Sequence, residues 1–200
     1  MGRLVGSERM QALADQANRN GPVLKTHDRF GHRIDAVEFH PAYHELMGLA
    51  FEHKPVSVFR HLDRFREINP VVKAPTLVCD DGEVLMDSSL ILQYVEATLP
   101  HGRSLWPTDL KEPQHDFRAV SLALAACEKS VQIVYERNLR PAAMHYGPWL
   151  ERVTGQVLAA YAGLECEVRQ RAAAFALLRS QASITAAVAW QFTQSMLASV

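Results

Sequence analysis

"VVKAPTLVCDDGEVLMDSSLILQYVEATL", residues 71–99, is the stretch that decides the fold. Pro75 opens a short apolar run, "TLVCD" (76–80). Proline lacks an N–H, so it belongs at a strand start or edge. "DDG" (80–82) is an acidic-glycine turn, and "EVLM" (83–86) is the return strand of a hairpin. "SSLILQYVEATL" (88–99) then changes period to that of a helix. Ile91, Tyr94, Val95 and Thr98 fall on one face of it.

The same stretch is laid out to hold a peptide-like ligand. With a cis bond before Pro75, the carbonyl and N–H of Ala74 turn out of the ladder, where an extended peptide can pair with them. Such bonds are about 5–6% of X–Pro bonds, so proline alone does not argue for one. Asp87 and Ser88 stand where the helix begins. Free backbone N–H groups and the helix dipole favour a carboxylate there. Ser88 adds a hydroxyl donor, and Asp87 a carboxylate for an ammonium group. An α-amino acid terminus carries both complements on one carbon. Ordinary helix capping explains the same dipeptide, and the two readings stay open on these residues alone.

The chain has 200 residues, 48% hydrophobic and 22% charged, enough for one or two domains with a sizeable core. Its net charge of −1 gives no bulk attraction to nucleic acid or to an anionic membrane. "FRHLDRFR" (59–66) gathers basic residues, but Asp63 and Glu67 interleave them, as on a solvated helix face. Cys79, Cys127 and Cys166 are odd in number, widely spaced and free of any CxxC pair. That favours a reducing compartment over a disulfide framework. No apolar run is long enough to span a bilayer, and the N-terminus lacks the apolar core of a secretory signal. A cytoplasmic location is the expectation.

Residues 7–20 read as a short helix stopped by "NGP", and 21–35 as loop. "AVEF" (36–39) is a candidate short strand, and "HPAYHELMGLA" (40–50) a helix with Pro41 at its first position. "KPVSVF" (54–59) alternates like a strand. A short polar helix follows and stops at "NP" (69–70). Residues 103–113 read as a linker with Pro107 and Pro113. Three helical segments come after it. Residues 114–139 place Phe117, Val120, Leu124, Cys127, Val131, Val134 and Tyr135 on a stripe. Residues 149–171 place Leu150, Val153, Val157, Tyr161, Leu164 and Val168 on another. Residues 181–198 form an alanine-rich helix with Trp190 and Phe192. A strand-containing half followed by an all-helical half implies two subdomains.

At residues 71–96 the pattern resembles the glutathione S-transferases. Ala74-Pro75 matches their cis-proline pair, and Asp87-Ser88 their acidic-serine pair. Leu77, Gly82, Leu85, Ile91 and Tyr94 fall in step. The resemblance extends over roughly 46–198, including "SITAAVAWQF" (183–192), which is similar to the family's buried core helix. It implies an α/β plus all-α chain: a partial thioredoxin-like domain over 46–102, a linker over 103–112, and a helical domain over 113–200. It also implies that Lys73, Ala74, Pro75, Asp87 and Ser88 hold glutathione. Ala74 would pair its backbone with the cysteinyl part, and Asp87-Ser88 would hold the γ-glutamyl end.

The departures lie upstream. The family's catalytic Ser, Tyr or Cys follows its first strand, and no such segment stands before Gly48. Residues 7–47 instead resemble the N-terminal part of an AidB-like acyl-CoA dehydrogenase, so 1–45 is set apart as an atypical segment. The last helix stops at Val200, earlier than in most family members. Ser183 is expected to cap the core helix, with Ala186 standing where the family usually carries an Asp that completes the capping box. His40 or Tyr43 could stand in for the missing catalytic group, or both are passengers of the foreign segment. Cys79 reads as a buried core thiol. His40 and His44 with Glu45 lack a third placed ligand, so no metal site is expected.

The implied activity is conjugation of the glutathione thiolate to a small hydrophobic electrophile, seated between the domains against residues 114–139. The alternative is a glutathione-binding or interaction module with the same fold and no turnover. A dehydrogenase-related fragment is a third reading, favoured only by the upstream segment. Neither the residues nor the resemblance identifies a catalytic group. Glutathione is the expected co-substrate, and the resemblance leaves room for a homodimer.

Overall fold

The computed structural model describes residues 8–19, 52, 54, 56–98, 104–105, 112–177 and 179–197. The expectations for 21–35, "AVEF", and the His40, Tyr43, His44 and Glu45 group lie outside the described residues. In chain order the elements are α1 (Glu8–Arg19), α2 (Leu62–Ile68), β1 (Thr76–Val78), β2 (Val84–Met86), α3 (Ser88–Thr98), α4 (Glu112–Asn138), a 3-10 turn (Ala142–Met144), α5 (Gly147–Gln170), α6 (Ala172–Ala176) and α7 (Gln181–Met196). They divide into two compact units, one of Gly21–Leu105 and one of Met1–Asn20 with Trp106–Val200.

The first unit carries the hairpin. β1 and β2 pair antiparallel, with Thr76 opposite Met86, Leu77 opposite Leu85 and Val78 opposite Val84. The turn is closed by Cys79, whose N–H donates to the Glu83 carbonyl at 2.9 Å and whose carbonyl accepts from Gly82 at 3.0 Å. Gly82 adopts a φ of 90°, a conformation that glycine reaches without steric cost. Helix α3 packs on both strands. It buries Ile91, Leu92 and Val95, while Tyr94, expected on that face, is exposed.

"KPVSVF" is a correction. Among its described residues there is no strand. Ser57 instead starts a helical turn. Its Oγ accepts from the N–H groups of Phe59 and Arg60, and its carbonyl accepts from His61. A serine that bonds its own backbone offers the chain an alternative to the sheet ladder. Cys79 is a second correction, since it lies at the mouth of the turn and is half-buried. Its thiol bonds Tyr94, and that bond is the chief reason the Tyr94 hydroxyl titrates above its ordinary value.

The second unit is built on α4, α5 and α7. Helix α5 buries Val153, Val157, Tyr161, Leu164 and Val168, the stripe its period predicts. Helix α4 differs from the expected stripe. Its buried line is Ala119, Ala123, Ala126, Cys127, Ser130, Ile133 and Val134, while Phe117 is 59% exposed and Tyr135 41% exposed. Packing onto both α5 and α7 selects the small side chains, because they let helix axes approach closely. At Gly163 of α5 an added Cβ would lie 3.2 Å from the Leu122 side chain, the same close approach seen from the other side.

Helix α7 is buried at every position from Gln181 through Trp190, as a helix enclosed on all sides must be. Its cap is Ser180, three residues before the Ser183 that the sequence suggests. The two serines cap reciprocally: Ser183 N–H donates to Ser180 Oγ, and Ser180 N–H donates to Ser183 Oγ, both at 3.2 Å. The box is therefore complete without any contribution from position 186.

One polar network lies inside this core. Tyr161 Oη is 2.7 Å from Thr193 Oγ1 and 2.8 Å from the Ala189 carbonyl, and Ser130 Oγ is 3.0 Å from Thr193 Oγ1. The Tyr161 ring meets Trp190 edge-on, with centroids 5.1 Å apart. Burial pushes the nearby Cys127 thiol up to about 12, so it stays neutral. Buried polar atoms left without partners cost roughly 1–3 kcal/mol each. Tyr161→Phe leaves the Ala189 carbonyl without this donor, and is expected to destabilise the helical unit by about 1–2 kcal/mol. Urea unfolding should show a lower midpoint with an unchanged slope.

Candidate functional site

The candidate site begins at Asn69, which the sequence marks only as a helix stop. Its amide is 1% exposed and fully engaged. Nδ2 donates to Thr76 Oγ1 at 2.9 Å and to the Lys73 carbonyl at 3.3 Å. Oδ1 accepts from the Val71 N–H at 3.0 Å, and the backbone carbonyl accepts from Val72 at 2.9 Å. Thr76 Oγ1 in turn donates to the Lys73 carbonyl at 2.7 Å. One side chain thus ties the end of α2 to the start of β1 and fixes the loop between them. The fold takes Val72 to a φ of 55° on the way. A branched residue there costs about 1–3 kcal/mol, which the surrounding hydrogen bonds must offset.

The loop delivers Ala74 and Pro75. The bond between them is cis. Among the described residues, neither the N–H nor the carbonyl of Ala74 has a hydrogen-bond partner. Pro75 leads directly into β1, so the unpaired peptide lies at the end of the strand.

The other side of the site is the start of α3. Asp87 caps it: Oδ1 accepts from the Ser89 N–H at 3.0 Å, and its carbonyl accepts from Ile91 at 2.9 Å. Asp87 has a φ of 75°. Aspartate tolerates this left-handed region better than most residues. The conformation leaves its second carboxylate oxygen for other partners, and Oδ2 lies 3.6 Å from Lys73 Nζ. Ser88 is the first residue of α3, and no hydrogen bond of its hydroxyl is formed among the described residues.

Lys73, Ala74 and Pro75 therefore stand beside Asp87 and Ser88, joined by the Lys73–Asp87 ion pair. Capping and ligand holding need not exclude each other here, because Asp87 caps with one oxygen and faces Lys73 with the other. Nothing local in the sequence marks Asn69 as more than a helix stop. Its signal is an asparagine ahead of a proline with a threonine seven residues on, and the burial that makes it matter is not written locally. No group of three His, Cys, Asp or Glu side chains among the described residues is placed to hold a metal. No helix among them is long and apolar enough to cross a membrane.

Residues 42–103 match the glutathione S-transferase N-terminal domain, and residues 1–67 match the N-terminal domain of the adaptive response protein AidB. The chain is 36% identical over 83 residues to a probable maleylacetoacetate isomerase of Caenorhabditis elegans, covering 40% of this chain and 37% of that one. It is 34% identical over 70 residues to probable maleylacetoacetate isomerase 2 of Drosophila melanogaster, covering 32% and 30%. The chain spans less than two fifths of these curated relatives. A crystal structure of a glutathione transferase family member from Pseudomonas fluorescens Pf-5 with bound glutathione superposes with a TM-score of 0.65 at 25% identity, over 82% of each chain. Another, with bound S-(propanoic acid)-glutathione, gives 0.56 at 27% identity over 74% and 67%. The chain is thus similar to the glutathione S-transferases in fold, and over residues 42–103 in sequence, with an AidB N-terminal-like region over residues 1–67.

Asn69→Ala is expected to lower the stability of the hairpin unit by about 2–3 kcal/mol, since the Val71 N–H and the Lys73 carbonyl lose buried partners. Hydrogen exchange at residues 71–78 should accelerate about tenfold or more, with α5 unaffected. Equal exchange in the two proteins would remove Asn69 from this role.

Proposed function

We propose that the chain binds glutathione at Lys73, Ala74, Pro75, Asp87 and Ser88, and that its activity is conjugation of the glutathione thiolate to a small electrophile. One observation carries the reading. The 3.6 Å Lys73–Asp87 contact brings the unpaired Ala74 peptide and the start of α3 into one rim. A tripeptide-like ligand needs both. Its cysteinyl backbone would pair with the Ala74 N–H and carbonyl as an added strand. Its γ-glutamyl carboxylate would meet the Ser88 hydroxyl and the N-terminal amides of α3. Its ammonium group would meet Asp87 Oδ2. The solved relatives with glutathione and a glutathione conjugate support the choice of ligand.

Conjugation requires more than a grip. A free thiol ionises near ~8.5, so at neutral pH only a minority is thiolate unless a donor stabilises the anion. The thiol proton first leaves to a base or to solvent. The thiolate then attacks the electrophilic carbon. As the carbon–sulfur bond forms, the carbon releases either a leaving group with its electron pair or the π pair of an activated double bond, which takes up a proton from solvent. Maleylacetoacetate is a further substrate to try, with isomerisation rather than a conjugate as the readout, because two relatives are named as probable isomerases of it.

A second reading is favoured by one finding. The match to the transferase domain starts at residue 42, and the residues ahead of it match AidB. On that reading the chain holds glutathione without activating its thiol. Binding without conjugation would select it.

Asp87→Asn keeps the cap and suits the left-handed backbone, but removes the charge. It should weaken glutathione binding about tenfold in calorimetric titration, a loss of about 1.4 kcal/mol in keeping with a charge-assisted bond becoming neutral. Ser88→Ala should weaken it about fivefold, by loss of one hydroxyl bond. No binding by the unaltered chain at millimolar glutathione would sink the proposal.

A further inference from the structure

Over residues 8–15, helix α1 meets the helical unit along one line. Met10, Leu13 and Ala14 fall at i, i+3 and i+4, and all three are buried. Glu8, Arg9, Gln11, Ala12 and Asp15 face outward. Two polar contacts of this helix reach other helices of the unit. Gln11 Oε1 accepts from Trp190 Nε1 at 3.2 Å, and Arg9 lies 3.6 Å from Glu165. The surface it covers is of another kind. Helix α7 is enclosed on every side through Trp190, so part of that enclosure is α1 itself.

Two further features bear on this contact. In sequence α1 is separated from the remainder of its unit by the whole of Gly21–Leu105. No short loop ties it to α4, so its place in the unit rests on its own contacts. A helix of this length is also marginal in water by itself, so undocking and unwinding go together.

We propose that α1 is a latch: residues 8–19 open and close on the Trp190 face of α7 as one cooperative segment, while the α4, α5 and α7 bundle stays folded. Closed, the latch completes the enclosure of α7. Open, it bares the Trp190 indole and a groove sized for an amphipathic helix with apolar residues at i, i+3 and i+4. The natural occupant is this chain's own N-terminal helix. The idea is independent of the glutathione site, which lies in the other unit.

Native-state hydrogen exchange on the full chain tests it. The amides of the last two turns of α1 should exchange more slowly than an unstructured chain, yet at least about 100-fold faster than the interior amides of α5 and α7, the spread expected between a local opening and a global one. Gln11→Ala, at an exposed position, should speed α1 exchange about fivefold. Met10→Ala should speed it about tenfold or more. In both variants α5 should be unchanged. Three results would overturn the latch. One is α1 exchanging in step with α5 and α7, which makes it integral core. Another is α1 exchanging at the unstructured rate, which means it is not docked. The last is α1 protection that neither variant alters.

Discussion

The hydrogen bonds of one buried amide, Asn69, set everything that follows in the candidate site. Its Nδ2 holds the Lys73 carbonyl and the Thr76 hydroxyl, and its Oδ1 holds the Val71 N–H. With those fixed, the loop has little freedom left. Val72 is carried into a left-handed conformation, the Ala74 peptide is set at the strand end, and Lys73 arrives beside Asp87. Asp87 is left-handed as well, on the far side of the same hairpin. Two such residues flank one short sheet. Conformations of this cost persist only where neighbouring contacts over-determine them, and they gather at functional sites.

The helical unit is held by different physics. Its three long helices approach through alanines on α4 and through an α7 that presents buried surface in all directions. In such close packing a buried polar atom without a partner is costly. The Tyr161, Thr193 and Ser130 network answers this by satisfying its members among themselves, and it links α4, α5 and α7 in one place. Buried charges follow the same rule near the other end of α5. Glu167 accepts from Arg118 Nε at 2.8 Å and lies 3.2 Å from His115 Nδ1, and buried Asp116 pairs with Arg171. A buried carboxylate is tolerated when its lone pairs are occupied in this way.

What the sequence tells depends on whether the signal is local. Pro75, Asp80-Asp81-Gly82 and Asp87-Ser88 punctuate the hairpin and α3, and those elements fall where expected. The α5 stripe was legible because its buried residues are also its large ones. On α4 bulk and burial part company: the alanines go inward between two helices, and Phe117 and Tyr135 go outward. A pattern that weighs size finds Cys127 and Val134 there but misplaces Phe117 and Tyr135. "KPVSVF" alternates convincingly, yet Ser57 captures the local amides and turns the chain. At α7 two serines three apart each cap the other, so the true start lies at the earlier one. Asn69 was illegible for a further reason. Its partners are loop and strand atoms whose positions it helps to create.

The resemblance carried by residues 71–96 agrees with the comparison with solved relatives, and the geometry adds what a motif cannot: Lys73 and Asp87, on the two sides of the proposed site, lie side by side. The central claim is that this rim reads the γ-glutamyl end of glutathione as well as its cysteinyl backbone. Calorimetric titration with glutathione and with the dipeptide Cys-Gly, which lacks that end, tests it most directly. The account predicts saturable binding of glutathione and at least about tenfold weaker binding of Cys-Gly, the worth of one lost charge-assisted anchor. Equal affinity for the two, or no binding of either, would contradict it.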